Sequence, residues 1–238
     1  MVIMRKSSNT EIQGLTEKTA EVFDPISRLK CIKGLYLTGG TGLSLQINHR
    51  LSEDLDFELL GIRRERPQLD FAGIIAEVQE MFSDARPEIL GDDQFLIFVN
   101  GGNVKLSFYR PENPVKTIHD GFVYNNLKTP SLQELLGMKV FTICVRNKFR
   151  DYYDIYCLLK EGFLLGDAIS YASFLSRHSI KSKTMLSRLL APQLFVKEKD
   201  FSKMAPKFDV TPEQIRDLIV DCITNEKFAK KSFLSYEK

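Results

Sequence analysis

TGGTGLSLQINHRLSEDLDFEL, residues 38–59, joins a glycine-rich turn to a pair of aspartates within one short stretch. Asp54 and Asp56 are separated by a single residue, so on a β-strand both carboxylates would point to the same face, roughly 6–7 Å apart along the chain. Two like charges held this close repel each other unless a cation or a shared proton lies between them. The pair therefore predicts a divalent metal site with Asp54 and Asp56 as ligands.

The glycines of this stretch have the pattern of a phosphate-binding turn. A short strand is predicted at 35–37, ending at Gly39-Gly40, and a helix is predicted to open at Thr41. Glycines let backbone N–H groups approach an anion, and a helix N-terminus favours negative charge. The stretch matches neither the P-loop, because no Gly-Lys-Ser/Thr follows, nor G-x-G-x-x-G, because position 45 is leucine. A purely structural turn is the alternative interpretation.

The aspartates follow the turn closely enough to share a pocket with it. Asp54 follows Thr41 by 13 residues, which leaves room for about two helical turns and a short return into a neighbouring strand. Metal ligands and phosphate-binding backbone would then meet, as phosphoryl transfer requires. Glu58 is expected on the same face if the strand is regular. Ser52 could donate to a phosphate or be a plain turn serine, and Arg50 could bind a phosphate or pair with a carboxylate.

The composition is typical of an ordinary soluble globular protein. The chain has 238 residues, of which 43% are hydrophobic and 27% are charged. No apolar run approaches the roughly 20 residues that span a bilayer, and the apolar part of MVIMRKSSNT is too short for a secretory signal. The four cysteines are widely spaced and form no C-x-x-C motif, so we expect a reduced, cytoplasmic protein without a membrane partner.

Charge is distributed unevenly along the chain. Residues 1–128 carry 15 Lys/Arg and 18 Asp/Glu, a net charge of −3, whereas residues 129–238 carry 18 and 13, a net charge of +5. An acidic half joined to a basic half fits metal-assisted chemistry on a polyanion such as RNA. Ordinary variation in surface charge is the other interpretation.

Hydrophobic periodicity predicts an α/β half and a helical half, with a boundary near Pro130. In the first half we expect a helix capped at Asn9 or Thr10, a charged loop RRERPQ, a helix in LDFAGIIAEVQEMF and a β-hairpin across Asn100-Gly101-Gly102. In the second half we expect one or two helices in SLQELLGMKVFTICVRNKFRDYYDIYCLLKEG and further helices near 165–176, 182–191 and 211–228.

Two sequence blocks resemble one protein family. Gly39-Gly40-Thr41 followed by His49-Arg50-x-Ser52-x-Asp54-x-Asp56-Phe57 resembles the nucleotidyltransferase toxins of the abortive-infection AbiE type, within the polymerase-β-like superfamily. The later block MKVFTICVRNKFRDYYDIYCLL is similar to that family's Lys…Arg…Arg-Asp-x-x-Asp segment. The blocks occur in the family's order and together cover about residues 34–160. The resemblance implies an α/β (α+β) fold, with a nucleotidyltransferase core at 1–130 and an α-helical domain at 131–238 that completes the active site and contacts substrate.

The second block also has a physical interpretation of its own. If residues 139–154 form one continuous helix, Lys139, Arg146 and Arg150 fall within roughly 40° of one another, with Asp154 close by. Such a cationic stripe could bind a triphosphate or an RNA backbone, while Asp151 accepts a proton or orients the cations. The alternative is a surface helix with ordinary Arg–Asp pairs, each contributing only tenths of a kcal/mol.

The resemblance also implies a reaction. A nucleoside monophosphate would pass from an NTP to an RNA acceptor, with the 3′ end of tRNA as the expected site, and a cognate antitoxin would exist. Gly39, Gly40 and Thr41, helped by Lys139, would hold the triphosphate, while Asp54 and Asp56 would bind Mg²⁺, expected as two ions with Mn²⁺ as the alternative.

Ser107 departs from the superfamily pattern. It stands in the strand NVKLSFYR, where the superfamily usually supplies a third carboxylate. Glu58 could substitute for that carboxylate, or two carboxylates with phosphate and water ligands could suffice. Two other functions remain open at this stage. One is a nucleotide-binding regulatory module with little or no catalysis, and the other is a nucleotidyltransferase acting on a protein or small-molecule hydroxyl.

Overall fold

The chain forms two compact units that divide between Ser131 and Leu132 in the computed structural model. The structure describes residues 12–61, 68–112, 115 and 118–225. The predicted cap residues Asn9 and Thr10 and nearly all of the predicted RRERPQ loop lie outside these residues. The prediction that the first helix starts there is wrong, because residues 12–16 are not helical and the helix begins at Glu17.

The first unit is built on a five-stranded mixed sheet with the order β1-β2-β5-β4-β3. The central pair, β2 and β5, is parallel, and the other neighbours are antiparallel. A separate hairpin pairs β6 with β7. The elements of this unit are α1 (Glu17–Ser27), β1 (Tyr36–Leu37), α2 (Gly39–Ile47), β2 (Leu55–Glu58), α3 (Phe71–Met81), β3 (Arg86–Ile89), β4 (Gln94–Val99), β5 (Val104–Tyr109), β6 (Asp120–Tyr124) and β7 (Leu127–Pro130).

Apolar and polar side chains alternate along the central strands, so the sheet has one apolar face and one polar face. On the apolar face Phe57 stacks on Phe108, with ring centroids 5.3 Å apart, and Phe108 stacks on Phe95 at 4.8 Å. Helices α1 and α3 supply Phe23, Ile26, Ile74 and Val78 to the same buried cluster. The opposite face carries Asp56 and Glu58 on β2, both only partly buried. The hydrophobic cluster therefore fixes which side of the sheet the carboxylates occupy.

Several predicted elements of this unit are confirmed. The hairpin joins β4 to β5 through Asn100, Gly101 and Gly102, all of which have positive φ. The helix expected in LDFAGIIAEVQEMF spans Phe71–Met81, and the Asp70 side chain caps it by accepting from the N–H of Gly73. The helix expected from Thr41 instead begins at Gly39, so the two glycines form its first turn.

The second unit is helical among its described residues, so the predicted α/β class with a helical C-terminal region is confirmed. Aromatic rings hold part of it together: Tyr152 stacks on Phe195 at 3.6 Å, and Phe149 meets Phe201 edge-on at 4.9 Å. Its elements are α4 (Leu132–Val145), α5 (Phe149–Lys160), α6 (Leu165–Leu175), α7 (Ser182–Leu189), two short 3₁₀ turns (Pro192–Leu194 and Phe201–Met204) and α8 (Pro212–Asn225). Within the described part of the chain, no helix has the length and apolar character needed to cross a membrane.

The second sequence block forms two helices rather than one. α4 ends at Val145 and α5 begins at Phe149, so the condition for a single stripe over residues 139–154 is not met. Lys139 lies on α4, Arg150 lies on α5, and Arg146 lies in the connection between them. Their mutual positions therefore depend on how the two helices pack and not on a common helical periodicity.

Candidate active site

The carboxylates of the opening stretch lie on β2 and at the residue before it. Leu55 and Phe57 are buried in the core, whereas Asp56 and Glu58 lie on the other face, as the regular alternation predicted. Asp54 comes directly before the strand, and its side chain is 34% exposed. The strand thus presents its acidic side chains on the face opposite the hydrophobic core.

Gly39 lies directly against one of these carboxylates. It has a φ of +65°, and a Cβ atom at this position would lie 2.9 Å from Oδ2 of Asp56. Only glycine adopts this conformation at no steric cost and also leaves room for the carboxylate. The first turn of α2 and the Asp56 carboxylate therefore border the same small space.

Gly40 lies against different side chains from Gly39. A Cβ atom on Gly40 would approach the Arg50 guanidinium within 2.3 Å at Nη2 and Oγ of Ser52 within 3.3 Å. Arg50 is almost fully buried, with 3% of its surface exposed, and its Nη1 donates to the carbonyl of Leu51 at 3.0 Å. The missing side chain of Gly40 thus makes room for the buried cation of Arg50 beside the helix N-terminus.

Thr41 and Ser52 connect the helix to the strand. Oγ1 of Thr41 lies 2.7 Å from Oγ of Ser52 and also donates to the carbonyl of Asp54. The backbone of Ser52 pairs with the N-terminal segment, because its N–H donates to the carbonyl of Gly14 at 2.9 Å and its carbonyl accepts from the N–H of Thr16 at 3.1 Å. Ser52 is therefore a buried bridging residue rather than a plain turn serine.

Glu58 has an altered protonation equilibrium. Burial raises the pKa of its carboxyl to about 7, repulsion by Asp56 acts in the same direction, and a hydrogen bond from Oγ1 of Thr38 at 2.9 Å opposes both. The same Thr38 is the N-cap residue of α2, and its N–H donates to the carbonyl of Asp56 at 2.8 Å. Glu58 is thus held by the residue that precedes the glycine turn.

This pKa predicts how stability depends on pH. A carboxyl with a pKa near 4.5 when unfolded and about 7 when folded binds its proton more tightly in the folded state. Its contribution to stability is therefore complete below pH 4.5 and is lost as the pH rises through 7. Glu58→Gln, which keeps an acceptor for Thr38, should raise the free energy of unfolding at pH 8.5 by about 1–3 kcal/mol and change it little at pH 4.5.

Urea denaturation at the two pH values measures this difference. Glu80→Gln, at an exposed position of α3, is the matched control and should show no pH-dependent gain. Equal stability of wild type and Glu58→Gln at both pH values would show that Glu58 does not lose a proton near neutral pH.

Lys105 and Ser107 on β5 complete the polar face beside the aspartates. Ser107 lies directly opposite Asp56 in the parallel register, and Nζ of Lys105 forms an ion pair with Oδ2 of Asp54 at 2.8 Å. Sequence reasoning did not single out Lys105. The available signal was its position two residues before Ser107, which places both on one face of β5, but the pairing of β5 with β2 was needed to bring Lys105 to Asp54.

A second charged cluster forms entirely within the helical unit. Nζ of Lys139 lies 2.8 Å from Asp151 and 2.7 Å from Asp154, and both carboxylates are fully buried. Arg146 donates to both oxygens of Asp151 at 2.8 and 3.1 Å. Burial alone would raise the pKa of Asp151, but Lys139 and Arg146 outweigh it and lower the pKa. The cluster therefore consists of charged groups that neutralise one another.

Arg150 differs from its neighbours in this block. The sequence was compatible with an ion pair between Arg150 and Asp154, but the structure pairs Asp154 with Lys139. Among the residues that the structure describes, no ion pair joins Arg150 to a carboxylate, and its side chain is only partly buried. Arg150 is therefore available for an anionic ligand.

The donor set of the first unit suits a hard divalent cation that also binds substrate oxygens. Within the described residues, no group of three or more His, Cys, Asp or Glu side chains is arranged to enclose a metal. Asp54 and Asp56 supply carboxylate oxygens, and Oδ2 of Asp56 occupies the space that the missing side chain of Gly39 leaves beside a helix N-terminus. Mg²⁺ is commonly held by one or two carboxylates together with substrate phosphates and water, so these residues fit it.

A family model matches most of this chain. The model describes the nucleotidyl transferase AbiEii toxin of a type IV toxin–antitoxin system, and it matches residues 23–227. The chain belongs to this family. The match includes both sequence blocks, so the resemblance inferred from them is confirmed, and the protein is a toxin nucleotidyltransferase.

Individual relatives are more distant. An uncharacterized protein of Aquifex aeolicus (strain VF5), aq_aa25, is 26% identical over 152 residues, which cover 62% of this chain and 68% of that protein. Two solved structures are similar in fold. MenT4, the nucleotidyltransferase toxin Rv2826c of Mycobacterium tuberculosis H37Rv, has a TM-score of 0.56 and 13% identity, covering 88% of this chain and 85% of its own. JHP933 of Helicobacter pylori has a TM-score of 0.53 and 18% identity, covering 88% and 92%.

Proposed function

We propose that this AbiEii family member transfers a nucleoside monophosphate from an NTP to a hydroxyl of RNA in a Mg²⁺-dependent reaction, with the 3′ end of tRNA as the acceptor. The observation that supports the proposal most is the close approach of the Asp56 carboxylate to Gly39, because it puts the carboxylate proposed as a metal ligand beside the first turn of a helix. Phosphoryl transfer requires this combination of a cation site and backbone donors.

In this proposal, the first turn of α2 binds the triphosphate of the NTP. The side chain of Thr38 makes no capping hydrogen bond to the first turn, so the N–H groups of the glycine turn would donate to a phosphate bound there. Arg50 adds a buried positive charge behind Gly40, and Ser52 holds the turn in place through Thr41. These residues orient the phosphates and balance their charge.

Asp54 and Asp56 would hold the divalent cation next to those phosphates. When bound there, Mg²⁺ would supply positive charge that favours ionisation of the attacking hydroxyl and departure of pyrophosphate. The acceptor oxygen then forms a bond to the α-phosphorus, the bond from that phosphorus to the oxygen shared with the β-phosphate breaks, and pyrophosphate leaves. The proton of the hydroxyl passes to solvent.

The helical unit contributes cations in this proposal. Arg150 is the candidate for direct contact with phosphate, because no carboxylate among the described residues neutralises it. Lys139 and Arg146 both bind Asp151, so of the two roles considered for Asp151 the orienting role is favoured over that of a base. A carboxylate with a lowered pKa that already accepts hydrogen bonds from two cations is a poor proton acceptor.

Charge in the helical unit supports an RNA acceptor. Residues 168–197 contain no Asp or Glu, and they carry Arg177, Lys181, Lys183, Arg188 and Lys197. Lys181 and Lys183 are exposed at the start of α7, where the helix N-terminus adds positive potential. Exposed lysines at a helix N-terminus attract a phosphate backbone without regard to sequence.

A labelling experiment distinguishes the acceptors. Purified protein is incubated with Mg²⁺ and each α-³²P-labelled NTP in turn, with total RNA, with an added protein mixture or with neither. We expect label in a band of tRNA size, which also identifies the nucleotide. Label in protein would identify a protein hydroxyl as the acceptor instead of RNA. The absence of label from both RNA and protein would contradict the proposal for RNA and leave a small molecule as the acceptor.

A further inference from the structure

The chain segment that carries Asp54 is held in place from outside the sheet. Asp54 comes one residue before β2, so the pairing of β2 with β5, which fixes Asp56, does not extend to it. Four consecutive carbonyls of this segment instead accept hydrogen bonds from other parts of the unit. The donors are Nη1 of Arg50 for Leu51, the N–H of Thr16 for Ser52, Oγ1 of Thr19 for Glu53 and Oγ1 of Thr41 for Asp54.

Thr19 makes the contact nearest to the start of Asp54. Its side chain is buried in the first turn of α1, and its Oγ1 donates to the carbonyl of Glu53 at 2.6 Å. That carbonyl belongs to the peptide group that joins Glu53 to Asp54. Helix α1 is itself anchored in the hydrophobic core through Phe23 and Ile26. The Thr19 hydroxyl therefore connects a fixed helix to the peptide that leads into Asp54.

A second hydroxyl orients the first. Oγ1 of Thr16 lies 2.9 Å from Oγ1 of Thr19. A hydroxyl has a single proton, and because Thr19 donates its proton to Glu53, the proton between the two threonines comes from Thr16. Thr16 is the N-cap residue of α1, but its side chain makes no capping hydrogen bond. Both threonines precede residue 23, at which the match to the AbiEii family model begins.

We propose that Thr19 is a positioning residue for Asp54, because its hydrogen bond to the Glu53 carbonyl sets where the Asp54 carboxylate meets the divalent ion. This inference rests on the proposed function, since it assumes that Asp54 is a metal ligand. The Asp54 side chain is 34% exposed, and solvent screens its ion pair with Lys105. The restraint on the main chain therefore matters for the position of the carboxylate.

Mn²⁺ binding tests the proposal without measuring activity. Mn²⁺ replaces Mg²⁺ and is titrated into protein with the α,β-methylene analogue of each common NTP in turn, while electron paramagnetic resonance measures free Mn²⁺. Thr19→Val, which removes the hydroxyl and keeps the shape, should weaken Mn²⁺ binding at least about tenfold, as loss of a group that orients a metal ligand typically does. Thr19→Ser, which keeps the hydroxyl, should retain the wild-type affinity.

The control is Thr142→Val in α4. It removes a comparable hydrogen bond, from Oγ1 of Thr142 to the carbonyl of Met138 at 2.8 Å, and should leave Mn²⁺ binding unchanged. Thermal unfolding curves check that each variant is folded. Thr19→Ala, which removes the hydroxyl and adds no second methyl group, takes the place of Thr19→Val if that variant does not fold.

A double variant shows whether Thr19 acts through Asp54. Thr19→Val/Asp54→Asn should bind Mn²⁺ no more weakly than Asp54→Asn alone. Wild-type affinity in folded Thr19→Val, or a further loss in the double variant, would overturn the role of Thr19 while leaving the metal-dependent transferase intact. Unchanged Mn²⁺ binding in Asp54→Asn would instead overturn the metal site of the proposed function, and the inference with it.

Discussion

Gly39→Ala is expected to lower the rate of nucleotide transfer at least about a hundredfold while the protein remains folded. An alanine Cβ would lie 2.9 Å from Oδ2 of Asp56, and the φ of +65° disfavours any side chain by about 1–2 kcal/mol. The carboxylate must move or the helix must begin differently, and either change disturbs the space that the metal and the phosphates share.

The matched control for this prediction is Gly34→Ala in the same unit. A Cβ atom at Gly34 would have no neighbour within 4 Å, and its backbone is not in the left-handed region. Initial rates of label incorporation, measured beside a thermal unfolding curve for each variant, give the comparison. A rate for Gly39→Ala equal to that of Gly34→Ala would show that the glycine is a structural turn without a role at the site.

Lys139→Ala is expected to have the largest effect on stability, a loss of about 3–5 kcal/mol in the free energy of unfolding. The substitution removes the cation between Asp151 and Asp154, both of which have no exposed surface. A buried carboxylate that loses a cationic partner keeps much of the cost of its desolvation, and the ion pair of Arg146 with Asp151 restores only part of what Lys139 supplied.

Guanidinium denaturation measures this loss against Lys160→Ala, an exposed lysine in the last turn of α5. A loss below 1 kcal/mol for Lys139→Ala would contradict the account of the buried cluster. The result also decides how activity data on Lys139 are interpreted, because reduced transfer in an unfolded variant is not evidence for contact with phosphate. Lys139→Arg, which keeps the charge, is the variant in which a direct catalytic role can be examined.

The sequence predicted the parts of the fold that depend on local patterns. Asn100-Gly101-Gly102 between two alternating strands identified the hairpin, because positive φ at those positions is a local property. The period of two along a strand correctly predicted Asp56 and Glu58 on one face, because this alternation needs no knowledge of the neighbouring strands, whereas Asp54 lies one residue before β2.

Strands with weak patterns were missed. β3 (Arg86–Ile89) is exposed at all four residues, so its sequence RPEI shows no alternation between core and solvent. Such a strand at the edge of a sheet is defined by its pairing with β4 and not by its own composition. The hairpin of β6 and β7 was missed although its turn contains Asn125 with a positive φ. Asn-Asn is a weaker turn signal than Asn-Gly.

Contacts that depend on packing could not be predicted. Lys105 meets Asp54 only because β5 lies parallel to β2, and nothing in either strand specifies that neighbour. The break between α4 and α5 falls at Arg146–Lys148, which contains neither proline nor glycine. Periodicity over the block was therefore compatible with one helix or two, and only packing places Lys139 against both buried aspartates.

The most direct test of the account is the Mg²⁺-dependent incorporation of α-³²P-labelled nucleotide into total RNA by wild type, Asp54→Asn and Asp56→Asn. Both side chains are partly exposed, so the variants should fold, and thermal unfolding curves check this. The account predicts that each substitution reduces incorporation at least about a thousandfold, with the wild-type rate dependent on added Mg²⁺. Incorporation by folded Asp56→Asn at the wild-type rate would contradict the assignment of this face of the sheet as the active site.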